Sequence, residues 1–390
     1  MSGYTPTIGL EIHAELKTQT KMFCNSINDP EEKSPNVNIC PVCMAHPGTL
    51  PVINKKAVKH VLRVGKALKG KIADFTEFDR KNYFYPDIPK GYQISQYKYP
   101  LISGGELAGV KVTRVHLEED TARSTHLSAQ AGHGDYSLVD FNRAGVPLME
   151  LVTEPVVENS KQALVFAKEL QLLLRYLGAS DANMEKGEMR VEANISVTKT
   201  DNFGTKVEVK NLNSFKVVEK AIEFEIKRQT EVLESGGEIV QETRGWDEKK
   251  GETFSQRSKE SAHDYRYFPD PDLPKLKISE IEEFQNLELP ELPQKKRKRY
   301  EKDYGIKDED IELFITDKTL EVFFENVISG FSDDAELIKL ASNYITSDVI
   351  GIIKNNGEIK LPDTKDFAQL ITMVNTGDIS SRAAKDILKI

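Results

Sequence analysis

Residues 7–18, TIGLEIHAELKT, alternate without a break. Ile8, Leu10, Ile12, Ala14 and Leu16 are apolar, and Glu11, His13 and Glu15 stand between them. A period of two places the two sets on opposite faces of a β-strand. A one-residue slip would exchange the faces, so this segment demands a sheet with one core face and one charged face. The charged face has two readings. It is an ordinary solvated strand face, or it is a cation site, because oxygen and imidazole groups at period two all reach one ion.

Further segments repeat the pattern. RVHLEEDTARSTH carries His116, Glu118, Glu119 and Asp120. In VPLMELV, Glu150 sits among Val146, Leu148, Met149, Leu151 and Val152. A carboxylate in such a run is costly to bury unless it is paired or metal-bound. GEMRVEANISV puts Arg190, Glu192 and Asn194 in phase, and GTKVEVKNLNS does the same for Lys206, Glu208 and Lys210. Any one of these strands alone reads as a salt-bridge ladder on a wet face. Jointly they describe a surface rich in carboxylates and cations. Oxygen-rich sites favour Mg²⁺ over softer metals. Carboxylates with Arg and Lys are also what phosphoryl transfer needs.

The chain has 390 residues, more than one compact core accommodates. Strand-like alternation dominates to about residue 290. NLELPELPQKKRKRYEKDYG then changes the character, and the remainder carries apolar residues at helical spacing, closing near Gly. The expected architecture is α+β: a mixed or antiparallel-sheet cradle domain over 1–293, with a cysteine-containing insertion at 24–46, then an all-α domain over 294–390. No apolar run reaches 18 residues, and Met1–Leu10 lacks the features of a signal peptide, so no membrane association and a cytoplasmic location are expected. The net charge of −9 restricts any RNA contact to a local patch. The run KKRKR, Lys295–Arg299, is such a patch or simply a solvated helix start.

GKALKGKI, Gly65–Ile72, nearly matches a P-loop, but it ends in Ile72 and lies inside a helical pattern, whereas a P-loop follows a strand. Nucleotide binding here needs another architecture. Cys24, Cys40 and Cys43 are the only cysteines, and an odd number so close together does not suit a disulfide framework. Cys40-Pro-Val-Cys43 has the form of a zinc knuckle, with Cys24 as third ligand and His46 or Ser26 as fourth. Three reduced cysteines beside a turn is the other reading. FDRKNYFYPDIPKGYQISQ and AHDYRYFPDPDLP mix aromatic, acidic and basic residues, as ordered stacking surfaces and plain packed loops both do. No amidase or glutaminase signature is found.

The runs IGLEIHAELKT, PGTLPVINKKAV, FDRKNYFYPDIPKGYQISQ, LEEDTARSTH, DYSLVDFNRAGVPLMELVTEP, VEVKNLNSF and HDYRYFPDPDLP cover residues 8 to about 274. Their sequence and order resemble the B-subunit (GatB) family of aspartyl/glutamyl-tRNA amidotransferases. The resemblance implies a cradle related to the glutamine synthetase/guanido-kinase fold. It implies ATP- and Mg²⁺-dependent phosphorylation of the side-chain carboxylate of Glu-tRNA(Gln) or Asp-tRNA(Asn), followed by amidation. Ammonia would come from a GatA-like amidase, and a GatC-like small subunit would complete a heterotrimer. Carried over by motif, the Mg²⁺ ligands are His13, Glu119 and Glu150. Glu11, Lys81, Arg190 and Glu192 line the catalytic site, and Lys81, Arg190 and Lys210 contact the nucleotide. Strand phase alone selects Glu118 with His116, and the motif selects Glu119. The family often has Asp where Glu192 stands and Cys where Ser26 stands, and it carries a tRNA-gripping tail module that does not follow Ile390 here. Two other functions compete: a non-catalytic tRNA scaffold, and a free-standing ammonia ligase acting on free glutamate.

Overall fold

The computed structural model describes residues 3–127, 136–258, 264–356 and 361–389; Asp135, His263 and Ile390 lie outside these ranges. The chain divides into two units, Met1–Pro290 and Glu291–Ile390. Sequence composition put the division near 293.

Strand β1 (Thr5–Glu15) opens the first unit, and helix α1 (Lys55–Ala67) follows the cysteine segment. Short strands β2 (Lys71–Ile72), β3 (Phe75–Thr76), β4 (Asp79–Asn82), β5 (Tyr92–Ser95), β6 (Ile102–Ser103) and β7 (Glu106–Leu107) lead to the long β8 (Val110–Glu119). Next come β9 (Arg123–Leu127), β10 (Tyr136–Asp140), β11 (Pro147–Thr153), α2 (Ser160–Tyr176), β12 (Met189–Thr198), β13 (Val207–Leu212) and α3 (Phe215–Glu234). The unit ends with β14 (Glu242–Asp247), β15 (Glu252–Ser258), β16 (Phe268–Pro269) and β17 (Leu276–Lys277).

The main sheet runs β15-β14-β13-β12-β1-β11-β8-β6-β2, with β7 on β8. Most neighbours are antiparallel. β13 and β14 are parallel, and α3 supplies the crossover that a parallel pair requires. β1 lies near the centre, between β11 and β12. Its register aligns like with like. Ile12 faces Leu151 and Val191, and Leu10 faces Ala193. His13 faces Glu150 and Arg190, and Glu11 faces Glu192. The apolar members are buried, each contributing about 1.5–3 kcal/mol for a full-sized side chain. α3 packs against β12, β13 and α2, and α1 packs against β8. Residues on the other side of the pleat are thereby gathered into one charged surface.

A three-stranded sheet, β16-β4-β5, brings Lys81 and the aromatic segments beside β8. The P-loop lookalike starts inside a helix and ends in a strand, the reverse of a P-loop: α1 runs through Gly65 to Ala67, and Lys71–Ile72 form β2. A Cβ on Gly65 would collide with the Ile102 side chain, so this glycine serves close packing rather than phosphate binding.

The second unit is helical. It comprises α4 (Pro293–Lys302), α5 (Asp308–Thr316), α6 (Lys318–Ile328), α7 (Ala335–Tyr344), α8 (Ile350–Asn356), α9 (Thr364–Thr376) and α10 (Ser381–Ile387). Asp317, Asp334 and Asp363 cap three of these by accepting from backbone N–H groups, and Gly377 closes α9 in the left-handed conformation. Tyr300, Phe314 and Phe324 form its aromatic centre. Among the described residues no helix is long and apolar enough to cross a membrane.

Candidate active site

His13 sits at the focus of the charged face. Its Nε2 lies 3.4 Å from Glu150 Oε2, 3.6 Å from Glu118 Oε1 and 3.8 Å from Glu11 Oε1. His116 Nε2 lies 3.4 Å from the same Glu150 oxygen, and Arg114 Nη2 is 3.5 Å from the other. Three adjacent strands supply these groups because His13, Glu150 and His116 are directly opposite one another in the ladder. Burial disfavours a charged Glu150, yet His116 and His13 hold it well below the usual carboxylate range. Burial also opposes a charge on His13, but its hydrogen bond to Glu150 and the charge of Glu118 push it up to about 9. Burial, reinforced by Glu150 and Glu192, pushes Glu11 up to about 7. His13 therefore carries a proton at neutral pH, and serving as a metal ligand requires its loss.

Glu119, chosen by motif, is not part of this cluster. Its carboxylate is bound by Lys90 Nζ at 2.7 Å and accepts from the Ile94 N–H at 2.9 Å. It lines a cleft of about 180 Å³ with Cys24, Cys43, His46 and Lys90. Successive residues of a strand point to opposite faces, so only one of Glu118 and Glu119 can meet His13. That residue is Glu118, with Ser95 Oγ donating to it at 3.2 Å. The ligand set His13, Glu119 and Glu150 is accordingly corrected. Among the described residues, the groups that combine carboxylate and imidazole donors within 4.8 Å of one another are Glu11, His13 and Glu150, and His116, Glu118 and Glu150.

Lys81 joins the cluster from β4. Burial disfavours its charge, but Glu118, Tyr267, Tyr265 and Glu150 outweigh that and hold its pKa above the ordinary value. Its Nζ sits 4.9 Å from the Tyr265 ring centroid. Arg190 is engaged elsewhere: Nη2 donates to Asp120 Oδ2 at 3.1 Å, and Arg143 lies 3.7 Å from the same oxygen. Lys210 donates to Glu192 Oε2 at 2.8 Å and lies 3.4 Å from Glu208. Glu11, Glu192 and Glu208 form a third acidic group beside it. Asn194 Oδ1, also on β12, is buried without a hydrogen-bond partner among the described residues. The oxygens of the donor set suit a hard divalent cation, and the cationic side chains of Lys81 and Lys210 border it. His116, Arg114 and Asp120 were not assigned roles from sequence, although the strand phase of β8 already marked His116.

The cysteines do converge. The sulfur atoms of Cys24, Cys40 and Cys43 lie within 4.8 Å of one another. The Cys40 N–H donates to Cys43 Sγ at 3.1 Å, and Ser26 Oγ is 3.8 Å from that sulfur. The hydrogen bond with Cys24, helped by the Cys40 N–H and by Lys21, pushes the Cys43 thiol down to about 4. Three soft donors fit zinc. His46 is not brought into the group, however; its backbone N–H is tied to Pro41 O, and the residue lines the same cleft as Cys24 and Cys43. Among the described residues, the side-chain oxygen that hydrogen bonding brings to the sulfurs is that of Ser26.

A family model described as the GatB/GatE catalytic domain matches residues 6–283. Among curated relatives, the B subunit of the aspartyl/glutamyl-tRNA(Asn/Gln) amidotransferase of Persephonella marina is 44% identical, over 99% of this chain and 82% of its own. The protein of the same name from Thermodesulfovibrio yellowstonii is 43% identical with the same coverage. That from Caldicellulosiruptor saccharolyticus is 44% identical, again over 99% and 82%.

Proposed function

The chain belongs to the GatB/GatE catalytic-domain family, and from that premise we infer that the cluster around His13 and Glu150 activates a tRNA-borne carboxylate with ATP. It is a subunit of a tRNA-dependent amidotransferase, an ATP-dependent, glutamine-hydrolysing ligase. The reacting group is the side-chain carboxylate of Glu-tRNA(Gln) or Asp-tRNA(Asn). A carboxylate does not react with ammonia at neutral pH, because its leaving group would be oxide. Transfer of the γ-phosphoryl group of ATP makes an acyl phosphate; ammonia then attacks the carbonyl carbon and phosphate leaves.

The observation that carries this reading is a pair of adjoining triads, Glu11–His13–Glu150 and His116–Glu118–Glu150, that share Glu150, with Lys81 beside them. Glu11, Glu118, Glu150, His13 and His116 would hold Mg²⁺, which when bound neutralises the phosphate charge. Lys81 offers a fixed cation next to the transferred group, and Arg190 acts through Asp120 rather than directly. A fold kinship of the cradle with glutamine synthetase and guanido kinases accords with carboxylate or guanidino phosphorylation on a mixed sheet. A GatA-like amidase supplies ammonia, a GatC-like subunit completes the heterotrimer, and the assembly works in the cytoplasm. The cysteine group is a structural zinc site, with an oxygen rather than His46 as fourth ligand.

The test uses the assembled amidotransferase. His13→Ala and Glu150→Ala should abolish amidation with glutamine and with ammonium salts alike, and leave glutamine hydrolysis at least partly intact. Loss of only the glutamine-dependent reaction would assign this chain a scaffold role instead.

A further inference from the structure

We propose that a row of tyrosine rings on the β16-β4-β5 sheet is the platform on which the unpaired 3′-terminal nucleotides of the aminoacyl-tRNA stack. The row is continuous. Tyr97 stacks on Tyr267 at a centroid distance of 4.3 Å and an interplanar angle of 7°. Tyr267 meets Tyr265 at 5.9 Å, Tyr265 meets Tyr83 at 6.2 Å, and Tyr83 stacks on Tyr85 at 5.9 Å. Tyr83 and Tyr85 follow β4, Tyr97 follows β5, and Tyr265 and Tyr267 approach β16, so the pairing of three short strands aligns them.

Both ends of the row face solvent. Tyr97 is 63% exposed and Tyr85 48%, while Phe84 beside it is 80% exposed with its ring against Gly91. Aromatic rings left in water at this density are costly unless something covers them. Lys81 occupies the middle, over Tyr265 on one side and under the influence of Glu118 and Glu150 on the other. The row therefore leads directly to the carboxylate cluster.

The chemistry of the substrate selects the occupant. The reacting amino acid is esterified to the terminal ribose of the tRNA, so the nucleotides next to the site are single-stranded and present open π-faces. Such bases bind proteins by stacking on aromatic side chains. Five rings in series exceed what one base needs and suit several consecutive ones. An acidic chain cannot rely on a general positive field to hold RNA, and stacking supplies a salt-insensitive contact. The flanking charge is local: Lys98 lies 5.1 Å from Tyr99, while Arg80, over Tyr92, is committed to Asp270 and Asp272.

The inference rests on the substrate being an aminoacyl-tRNA, not on phosphoryl transfer, and its test is a binding measurement without ATP. The assembled enzyme is titrated with intact uncharged tRNA and with the same tRNA lacking its terminal adenosine. Truncating an exposed ring leaves folding little affected, which equal Tm values for the variants will verify. At least one of Tyr85→Leu and Tyr97→Leu should weaken binding of the intact tRNA about tenfold. The same variant should lose much less on the shortened tRNA, because the base that met the ring is already gone. The corresponding Phe variant should restore affinity to within about twofold. Equal losses on both tRNAs, or none, would overturn the proposal. A parallel titration with ATP alone covers the other occupant: weaker ATP binding by Tyr97→Leu with tRNA binding unchanged would also overturn the proposal and place the adenine on these rings. Failure of phosphoryl transfer in the His13 and Glu150 variants leaves this measurement untouched, so the two readings fail separately.

Discussion

Glu118 and Glu119 are neighbours on β8, and strand geometry gives them different partners. Glu118 meets His13 and Ser95; Glu119 meets Lys90 and the Ile94 N–H. Glu118→Gln should reduce tRNA-dependent ATP cleavage by at least two orders of magnitude with little change in Tm. Glu119→Gln should do the reverse, lowering stability by roughly 1–3 kcal/mol because Lys90 loses its charge partner in a largely enclosed site. Thermal melts and ATP cleavage on the two variants decide it; equal losses of activity would return Glu119 to the active site. The alternation in β1 already identified Glu11 and His13, and the phase of β8 already favoured Glu118. Motif position pulled the choice one residue too far, since motif matching carries no face information. The Arg190–Asp120 pair was not legible at all: the two residues are far apart in sequence, and only the fold brings Asp120 to the β12 side.

Elements whose pattern is local were legible, and those that depend on distant partners were not. β1, α1 and the helical half follow from periodicity, whereas α2 and α3 lie unmarked within a stretch that reads as strand-like. The parallel β13–β14 pair does not, because its register depends on the α3 crossover. Nor does the tyrosine row, which is assembled from three segments of no fixed period. α1 shows how an element is fastened. His60, buried on its inner face, donates from Nε2 to Lys17 O at 3.0 Å and so ties the helix to the chain leaving β1. Burial, with Lys56 and Arg63 nearby, pushes His60 down to about 4 against an ordinary 6.5. The unfolded chain then binds the proton first as pH falls. The stability contribution is complete above pH 6.5 and is lost between 6.5 and about 4. Its size is on the order of 3 kcal/mol. Chemical denaturation of wild type and His60→Gln across this range measures it: the variant should show a shallower loss, and parallel curves would remove His60 as the cause.

At the scale of the molecule, each unit has its own core. The basic run Lys295–Arg299, read from sequence as an RNA patch or a solvated helix start, is largely committed within the second unit. Lys296 pairs with Glu321 and Glu325, Arg297 with Glu312, and Arg299 with Glu291 and Glu325. Glu325 also accepts from Tyr300 Oη at 2.6 Å, which anchors α4 to α6. These pairs favour a structural role for the run. Behind them, Phe314 and Phe324 stack at 4.3 Å, and Phe324 meets Tyr300 edge-on at 5.3 Å; all three are essentially fully buried. Phe324→Ala removes a ring from the centre of this cluster and should cost roughly 3–5 kcal/mol. The carboxylate cluster around His13 lies wholly in the other unit, Met1–Pro290. Calorimetry of the variant should therefore show the helical unit melting earlier, as a separate transition, while that of Met1–Pro290 stays in place. A single transition shifting as a whole would mean that the two cores fold as one cooperative body.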